Sequence, residues 1–157
     1  MKISEIIIKT LIAEIEFERK KIIKLKEDIE LLKEKNQNKI PDKFDASVYG
    51  YILHNFYNGV ENILKNIANV FGNNIDKSIY HSDLLKKMII EIKDIRPKVI
   101  SENLYLKLVE YKNFRHFFRN AYLFELNWDK MQNLVEDFGN TVDMFFDELD
   151  NFIELIS

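Results

Sequence analysis

The chain has 157 residues, of which 31% are charged and none is cysteine, and its 23 Lys and Arg against 26 Asp and Glu give a formal net charge of −3. The lack of cysteine excludes disulfide frameworks, thiol nucleophiles and iron–sulfur clusters, and the acidic balance means that a nucleic-acid site has to be a local basic patch. Charged side chains interrupt the apolar residues of the first twenty positions, so we expect neither a signal peptide nor a spanning helix and predict a cytoplasmic protein. One domain is expected over residues 1–157.

The spacing of apolar residues predicts an all-α, up-and-down bundle of about five helices that opens with a long N-terminal helix. This first helix is expected at residues 3–36, where apolar side chains follow a nearly heptad pattern. The second is expected from Asp45 to Phe71. Gly50 and Gly59 lie inside it, and because glycine weakens a helix, they indicate that a neighbouring helix packs closely there.

Three further helices are expected in the second half of the chain, at residues 82–95, 101–124 and 127–156, with Ser82, Ser101 and Asn127 as their N-caps. Charge is distributed unevenly along the chain. Residues 128–157 hold eight acidic side chains and one basic one, whereas residues 19–26 hold five basic side chains and no acidic one. Such runs are typical of solvated faces, but a polarised surface can also orient a partner or a second copy.

The residues with most chemical potential lie at positions 111–122, on the predicted fourth helix. On a helical wheel of about 100° per residue, one arc carries the polar and cationic side chains Lys112, Arg115, His116, Arg119, Asn120 and Tyr122. The opposite arc is aromatic and is expected to be buried, with Phe114, Phe117, Ala121 and Phe124. Cationic groups so close together repel one another, and the polar arc therefore favours an anion such as phosphate.

The same arc has the parts that metal-independent RNA cleavage needs. Arg115 and Arg119 are expected to bind and stabilise the scissile phosphate, and His116, whose imidazole can exchange a proton near neutral pH, is the proton-transfer candidate. Asn120 would orient the reacting groups, and Tyr111 and Lys112 are placed near the RNA. The alternative is that the two arginines pair with acids such as Glu110.

Other candidates are weaker. His54, on the apolar second helix, is expected to be a hydrogen-bonded core or interface residue, and His81 is expected near a helix start. The sequence has no Glu-x-x-His or His-x3-His pair and no glycine-rich phosphate loop, so no metal and no cofactor are expected.

The chain resembles the HEPN domain family, and in particular the HepT-like toxins of HEPN/MNT toxin–antitoxin pairs, whose signature is R-x4-H-x-Y. Arg115 matches the signature Arg and Tyr122 the signature Tyr, whereas Asn120 stands in the place of the His. Residues 122–128 resemble the Y-x-x-x-[LI]-[DN]-W that follows the signature, and residues 50–63 resemble the second helix of these proteins. The resemblance covers residues from about 45 to 156.

The resemblance implies an all-α homodimer that joins two signature motifs in a positively charged cleft and cleaves RNA without metal. It also implies a cognate MNT-type nucleotidyltransferase antitoxin that adenylylates the motif tyrosine, which by position is Tyr122. A modified Tyr122 would place phosphate beside the arginines and block the RNA site.

The departure at Asn120 leaves two interpretations open. An amide can orient a phosphate but cannot exchange a proton near neutral pH, so either His116 has taken over proton transfer or the protein no longer cleaves RNA. In the second case it is a HEPN-type protein-interaction or nucleotide-binding module without catalysis.

Overall fold

A computed structural model describes residues 3–72 and 84–157, and these residues form six α-helices without a β-strand. The helices are α1 (Glu5–Asn36), α2 (Lys43–Phe71), α3 (84–88), α4 (Glu102–Asn120), α5 (Trp128–Glu136) and α6 (Phe138–Ile156), with a 3₁₀ turn at Leu123–Glu125 between α4 and α5. The predicted all-α class and the long N-terminal helix are confirmed.

The starts of the long helices follow from their capping residues. Ser4 Oγ accepts a hydrogen bond from the backbone N–H of Ile7 before α1, and Asp42 Oδ1 accepts one at 2.8 Å at the start of α2. Ser101, the predicted cap of α4, accepts from the N–H of Leu104 at 3.1 Å. Six residues, 37–42, connect α1 to α2, so the two helices fold back on each other as an antiparallel pair.

The α2 helix lies at the centre of the bundle and packs against α1, α4 and α5. The expected close approach at its glycines is confirmed. A Cβ added at Gly50 would lie 2.7 Å from the ring of Phe118 on α4, and one added at Gly59 would lie 3.1 Å from Ile22 on α1. The two glycines thus let α1 and α4 pack directly against the α2 backbone.

Oppositely charged residues join α1 to α6. Arg19 Nη1 lies 2.7 Å from Asp150, and Lys26 Nζ lies 2.7 Å from Asp143. Part of the basic run at residues 19–26 is therefore matched by the acidic run at the C-terminal end of the chain.

The predicted bounds of the third, fourth and fifth helices are wrong. The fourth helix ends at Asn120 rather than near Phe124, and the chain turns at Ala121, which has an extended backbone. The predicted fifth helix is two helices, because Asp137 interrupts it with a ψ of 1°.

The third helix was expected to reach Ile95, but its described part stops at residue 88. Beyond it Ile92 and Arg96 exchange backbone hydrogen bonds around Asp94, whose φ of 63° ends any helix there. The predicted cap Ser82 and His81 lie outside the described residues. Within the described ranges, none of the helices is long and apolar enough to cross a bilayer.

Candidate functional site

The buried stripe of α4 decides which residues of the polar arc reach solvent. The residues of the buried stripe lie within roughly −100° to +20° of Arg115 around the helix axis. They are Leu104, Leu108, Tyr111 and Phe114. Arg115 therefore sits at the edge of this stripe. Arg119, Lys112, His116 and Asn120 follow at about 40° to 140° and face outward.

Arg115 is paired, contrary to the expectation of an unpaired cationic strip. Its Nη2 lies 2.8 Å from a carboxylate oxygen of Glu61, its Nη1 donates to Asn58 Oδ1 at 3.0 Å, and its guanidinium lies 4.8 Å from the centre of the Tyr57 ring. Only 16% of the Arg115 side chain is exposed. All three partners belong to α2, so Arg115 fixes α4 to α2 and has limited freedom to bind a ligand.

Glu61 is held in its charged form. Burial by itself would raise its pKa, but hydrogen bonds from Lys65 and Arg115 outweigh that effect and lower the pKa. The carboxylate therefore stays ionised near neutral pH and is shared between Arg115 and Lys65.

A hydrogen-bonded chain continues from Arg115 to His54. Because Asn58 Oδ1 accepts from Arg115, its amide group faces His54 and donates to Nε2 at 3.1 Å. This assignment places the imidazole proton on Nδ1, which is buried without a hydrogen-bond partner among the described residues. Burial, together with the positive charges of Arg115 and Arg119, lowers the pKa of His54, so the ring is neutral at pH 7.

Arg119 is the opposite case. It lies one helical turn after Arg115, is exposed, and makes neither an ion pair nor a hydrogen bond with any residue in the described ranges. His116 is exposed in the same way, and its backbone carbonyl accepts a bond at 2.9 Å from the side chain of Asn120. Lys112, half-buried one turn earlier, has no ion-pair partner in these ranges. We call Lys112, His116, Arg119 and Asn120 the cationic face.

Tyr111 does not belong to this face. It is 1% exposed, and its hydroxyl donates to the backbone carbonyl of Leu134 at 2.8 Å. Its ring lies against Phe56 and Phe138 in the core. The expectation that Tyr111 contacts RNA is therefore wrong, because its position on the wheel is within the buried stripe.

Tyr122 and Phe124 are placed differently from the expectation. Since α4 ends at Asn120, Tyr122 lies beyond the helix, where its N–H donates to Glu125 Oε1 at 2.9 Å. The rings of Tyr122 and Phe124 lie parallel with their centres 5.5 Å apart, and 69% and 82% of these residues are exposed. Phe124 was expected to be buried, and the early end of the helix is the reason that it is not.

The arrangement can bind an anion and can supply a proton-transfer group, but it offers no metal site. In residues 3–72 and 84–157, no three His, Asp or Glu side chains are grouped so as to hold a metal ion. An exposed guanidinium without a carboxylate next to an exposed imidazole is suited to a phosphate ester. The neighbouring pair of Arg115 and Glu61 keeps α2 in register beside it.

Comparison with known proteins identifies the family of the chain. The family model of the HepT-like proteins matches residues 48–156, which include most of α2 and all of the cationic face. This chain belongs to the HepT-like family. No curated protein and no solved structure matches it.

Sequence reasoning missed the contribution of α2 to the candidate site. The expectation that His54 is hydrogen-bonded is confirmed, but Asn58 and Glu61 were not considered beside it. Their spacings of four and three residues place all three on one side of a helix that is otherwise rich in buried residues. That pattern could have predicted a polar partner for Arg115.

Proposed function

We propose that this HepT-like protein is the toxin of a toxin–antitoxin pair and binds and cleaves RNA at the cationic face. The observation that carries the proposal is the contrast between the neighbouring arginines of α4. Arg115 is paired with Glu61, whereas Arg119 is exposed and without an acidic partner among the described residues. An exposed cation that its own chain leaves unpaired next to other donors is suited to a phosphate backbone.

The proposed chemistry is attack of a ribose 2′-hydroxyl on the adjacent phosphorus. The oxygen–phosphorus bond forms while the bond to the 5′-oxygen breaks, which leaves a 2′,3′-cyclic phosphate and a free 5′-hydroxyl. Arg119 and Lys112 bind the phosphate oxygens and stabilise the charge that develops on them. His116 takes the proton of the 2′-hydroxyl or returns one to the leaving oxygen, and Asn120 orients the phosphate through its amide.

Arg115 has a different role in this proposal. Because Glu61 and Asn58 hold its guanidinium, it acts as a positioning residue that fixes α4 against α2 and adds little net charge. His54 is also assigned to positioning, since its Nε2 is occupied by the amide of Asn58. Proton transfer is therefore assigned to His116, which is exposed.

The proposed active form is a homodimer. Phe44, Val48 and Tyr51 are exposed apolar residues at spacings of four and three, so they form one stripe along the first half of α2. The stripe continues directly into His54 on the same helix, and a second copy packed on it would bring two cationic faces together. Two copies of His116 would then be available for the two proton transfers.

Tyr122 is the proposed target of a cognate nucleotidyltransferase antitoxin. Its phenol is exposed, and it lies three residues after Arg119. In the proposed modification the phenol oxygen attacks the α-phosphate of a nucleoside triphosphate and pyrophosphate leaves. The phosphate attached in this way would be available to Arg119 and would compete with RNA.

One observation favours a second candidate, an RNA-binding module without cleavage. Asn120 replaces the signature histidine and cannot transfer a proton, and its amide is engaged with the carbonyl of His116. The two candidates share the phosphate contacts and differ only in whether His116 is used chemically.

Incubation of the purified protein with single-stranded RNA in EDTA tests the proposal. Cleavage that yields 2′,3′-cyclic phosphate ends, lost in both Arg119→Ala and His116→Ala, supports the enzyme. Binding without cleavage supports the module. Lys93→Ala is the matched control, because Lys93 is also an exposed cation. Its neighbour Ile92 lines a hollow with Phe71 at the far end of α2, about 25 Å along that helix from His54. Absence of both binding and cleavage would contradict the proposed function.

A further inference from the structure

A hollow of about 260 Å³ lies between α1 and α2, next to the paired Arg115. Its polar lining consists of Glu18 and Lys21 from α1 and three asparagines from α2, which are Asn55, Asn58 and Asn62. Gly59 forms part of its wall, where the side chain of Ile22 packs closely against the α2 backbone. We call this space the amide hollow.

Apart from Asn58, which bonds Arg115 and His54, the polar side chains of the amide hollow have few partners in the described part of the protein. Asn55 and Asn62 make no hydrogen bond through their side chains to any other residue in the described ranges. Glu18 has only 14% of its side chain exposed, yet its single ion pair is a 3.5 Å contact with Lys21, a residue that is itself largely in solvent. A carboxylate and two amides are therefore left with free acceptors and donors in one small space.

Contacts within the protein explain the asparagine at position 58, which bonds Arg115 and His54, but not those at positions 55 and 62. Asparagine favours helix interiors less than alanine or leucine does, because its short amide competes with the backbone hydrogen bonds. Positions 55, 58 and 62 nevertheless place three of them on one side of α2. Residues that go against local preference without a packing reason often mark a binding site.

Asn58 connects the amide hollow to the candidate site. Its side chain lines the hollow, and its Oδ1 accepts the hydrogen bond from Arg115. A ligand in the hollow is therefore separated by one side chain from the arginine that holds α4 in place. Arg115 lies one helical turn before Arg119, so the hollow lies near the part of α4 that carries the cationic face.

We propose that the amide hollow binds one nucleobase of the RNA and prefers a base with an exocyclic amino group. This inference rests on the proposed function, because the base has to belong to the strand bound at the cationic face. A carboxylate such as that of Glu18 accepts from the amino group of cytosine or adenine, and an asparagine amide can donate and accept on the same edge. Uracil instead has a carbonyl oxygen where cytosine has its amino group, and the carboxylate of Glu18 repels an oxygen at that position.

Oligonucleotides of cytidine and of uridine test the preference, since the two bases have the same ring size and similar stacking. Both are prepared with 2′-O-methyl groups, which block cleavage, and their affinity is measured by fluorescence anisotropy in EDTA at one salt concentration. We expect the wild-type protein to bind the cytidine strand about tenfold more tightly than the uridine strand.

Two variants locate the preference. Glu18→Gln keeps the shape of the side chain and removes its charge, and Asn62→Ala removes an exposed amide. We expect each to bring the two affinities to within about twofold of each other. Asn103→Ala is the matched control, because it removes an exposed amide near the start of α4, roughly 18 Å along that helix from Arg115, and it should retain the wild-type preference.

The outcomes separate this inference from the function on which it rests. Equal affinity for both strands, or a preference for uridine, overturns the base assignment and leaves RNA binding at the cationic face intact. A preference that survives in both Glu18→Gln and Asn62→Ala also overturns it. If neither strand binds to the wild-type protein, the proposed function and this inference both fail.

Discussion

The arginines at the two sides of the bundle differ in whether an acid of the same chain reaches them. On α1, Arg19 lies 2.7 Å from Asp150 of α6 and its guanidinium covers the ring of Phe146. On α4, Arg119 has no acidic neighbour in the described part of the chain. Both lie near other basic residues, so the presence of basic residues alone does not distinguish a cation used for packing from one that remains available for a ligand.

Arg115 lies between these two cases. It is on α4, like Arg119, but it is paired, like Arg19. The difference follows from the phase of the helix: Arg115 borders the buried stripe of α4 and meets Glu61, and Arg119 is turned about 40° further outward. A rotation of that size separates a structural ion pair from a candidate ligand site.

The largest effect is expected when the unpaired arginine, Arg119, is replaced, and it concerns the rate of RNA cleavage. Arg119→Ala should lower the rate of RNA cleavage about 100-fold or more, because it removes a cation that binds the scissile phosphate and stabilises the charge that develops on it. Gel analysis of the RNA fragments measures the rate. Lys26→Ala, which removes a cation that Asp143 already neutralises, should leave the rate near the wild-type value. Equal losses in both variants would mean that net charge, and not this site, determines activity.

A smaller effect is expected on stability at the paired arginine. Glu61→Gln should lower the free energy of unfolding by about 2 kcal/mol, because it leaves the mostly buried guanidinium of Arg115 without its counter-charge. Urea denaturation measures the change. The folded-state pKa of Glu61 is lowered, so its contribution is present above about pH 4.5 and is lost as the pH falls below that value. A variant as stable as the wild type at pH 7 would contradict the pairing.

His54 should make the free energy of unfolding depend on pH in a range closer to neutral than the range in which Glu61 acts. Its pKa is lowered in the folded protein by burial and by Arg115 and Arg119, so the unfolded chain takes up a proton first as the pH falls below about 6.5. Stability should therefore decrease between pH 7 and pH 5.5, and His54→Gln should lose part of this slope. His116→Gln alters an exposed ring without a described partner and should keep the full slope of stability against pH. Loss of the slope in His116→Gln but not in His54→Gln would contradict the assignment of this effect to His54.

The smallest effect is expected for the exposed ion pairs of α1. Lys26→Ala should change the free energy of unfolding by less than about 1 kcal/mol, because an exposed pair gains little over solvated charges. Thermal unfolding followed by circular dichroism measures it. A loss as large as that of Glu61→Gln would show that the α1 and α4 pairs do not differ as described.

Much of the fold could be predicted because its signals are local. The caps at Ser101 and Asn127 and the end of α2 at Phe71 all follow from residue type and spacing. The break at Asp137 could not be predicted in this way. The Asp137 carboxylate accepts hydrogen bonds from Lys107 and Thr141. Because Lys107 belongs to another helix, the spacing of residues around Asp137 does not predict this contact.

The candidate site was predictable in its residue types but not in its geometry. The sequence places Arg115, His116, Arg119 and Asn120 together on α4. It does not show which side of α4 faces the core. Burial of Tyr111 and pairing of Arg115 both depend on how α4 is rotated against α2 and α5, which is set by contacts between distant parts of the chain. Tyr122 was misplaced for the separate reason that the helix ends at Asn120.

Nuclear magnetic resonance of the arginine side chains tests the central claim most directly. The chain has four arginines, and Arg19, Arg96 and Arg115 are held by carboxylates or backbone carbonyls, whereas Arg119 has no partner in the described ranges. Titration of ¹⁵N-arginine-labelled protein with uncleavable 2′-O-methyl RNA should shift the Nε–H resonance of Arg119 most and those of Arg19 and Arg96 least. Saturable RNA binding that leaves Arg119 unshifted would contradict the account.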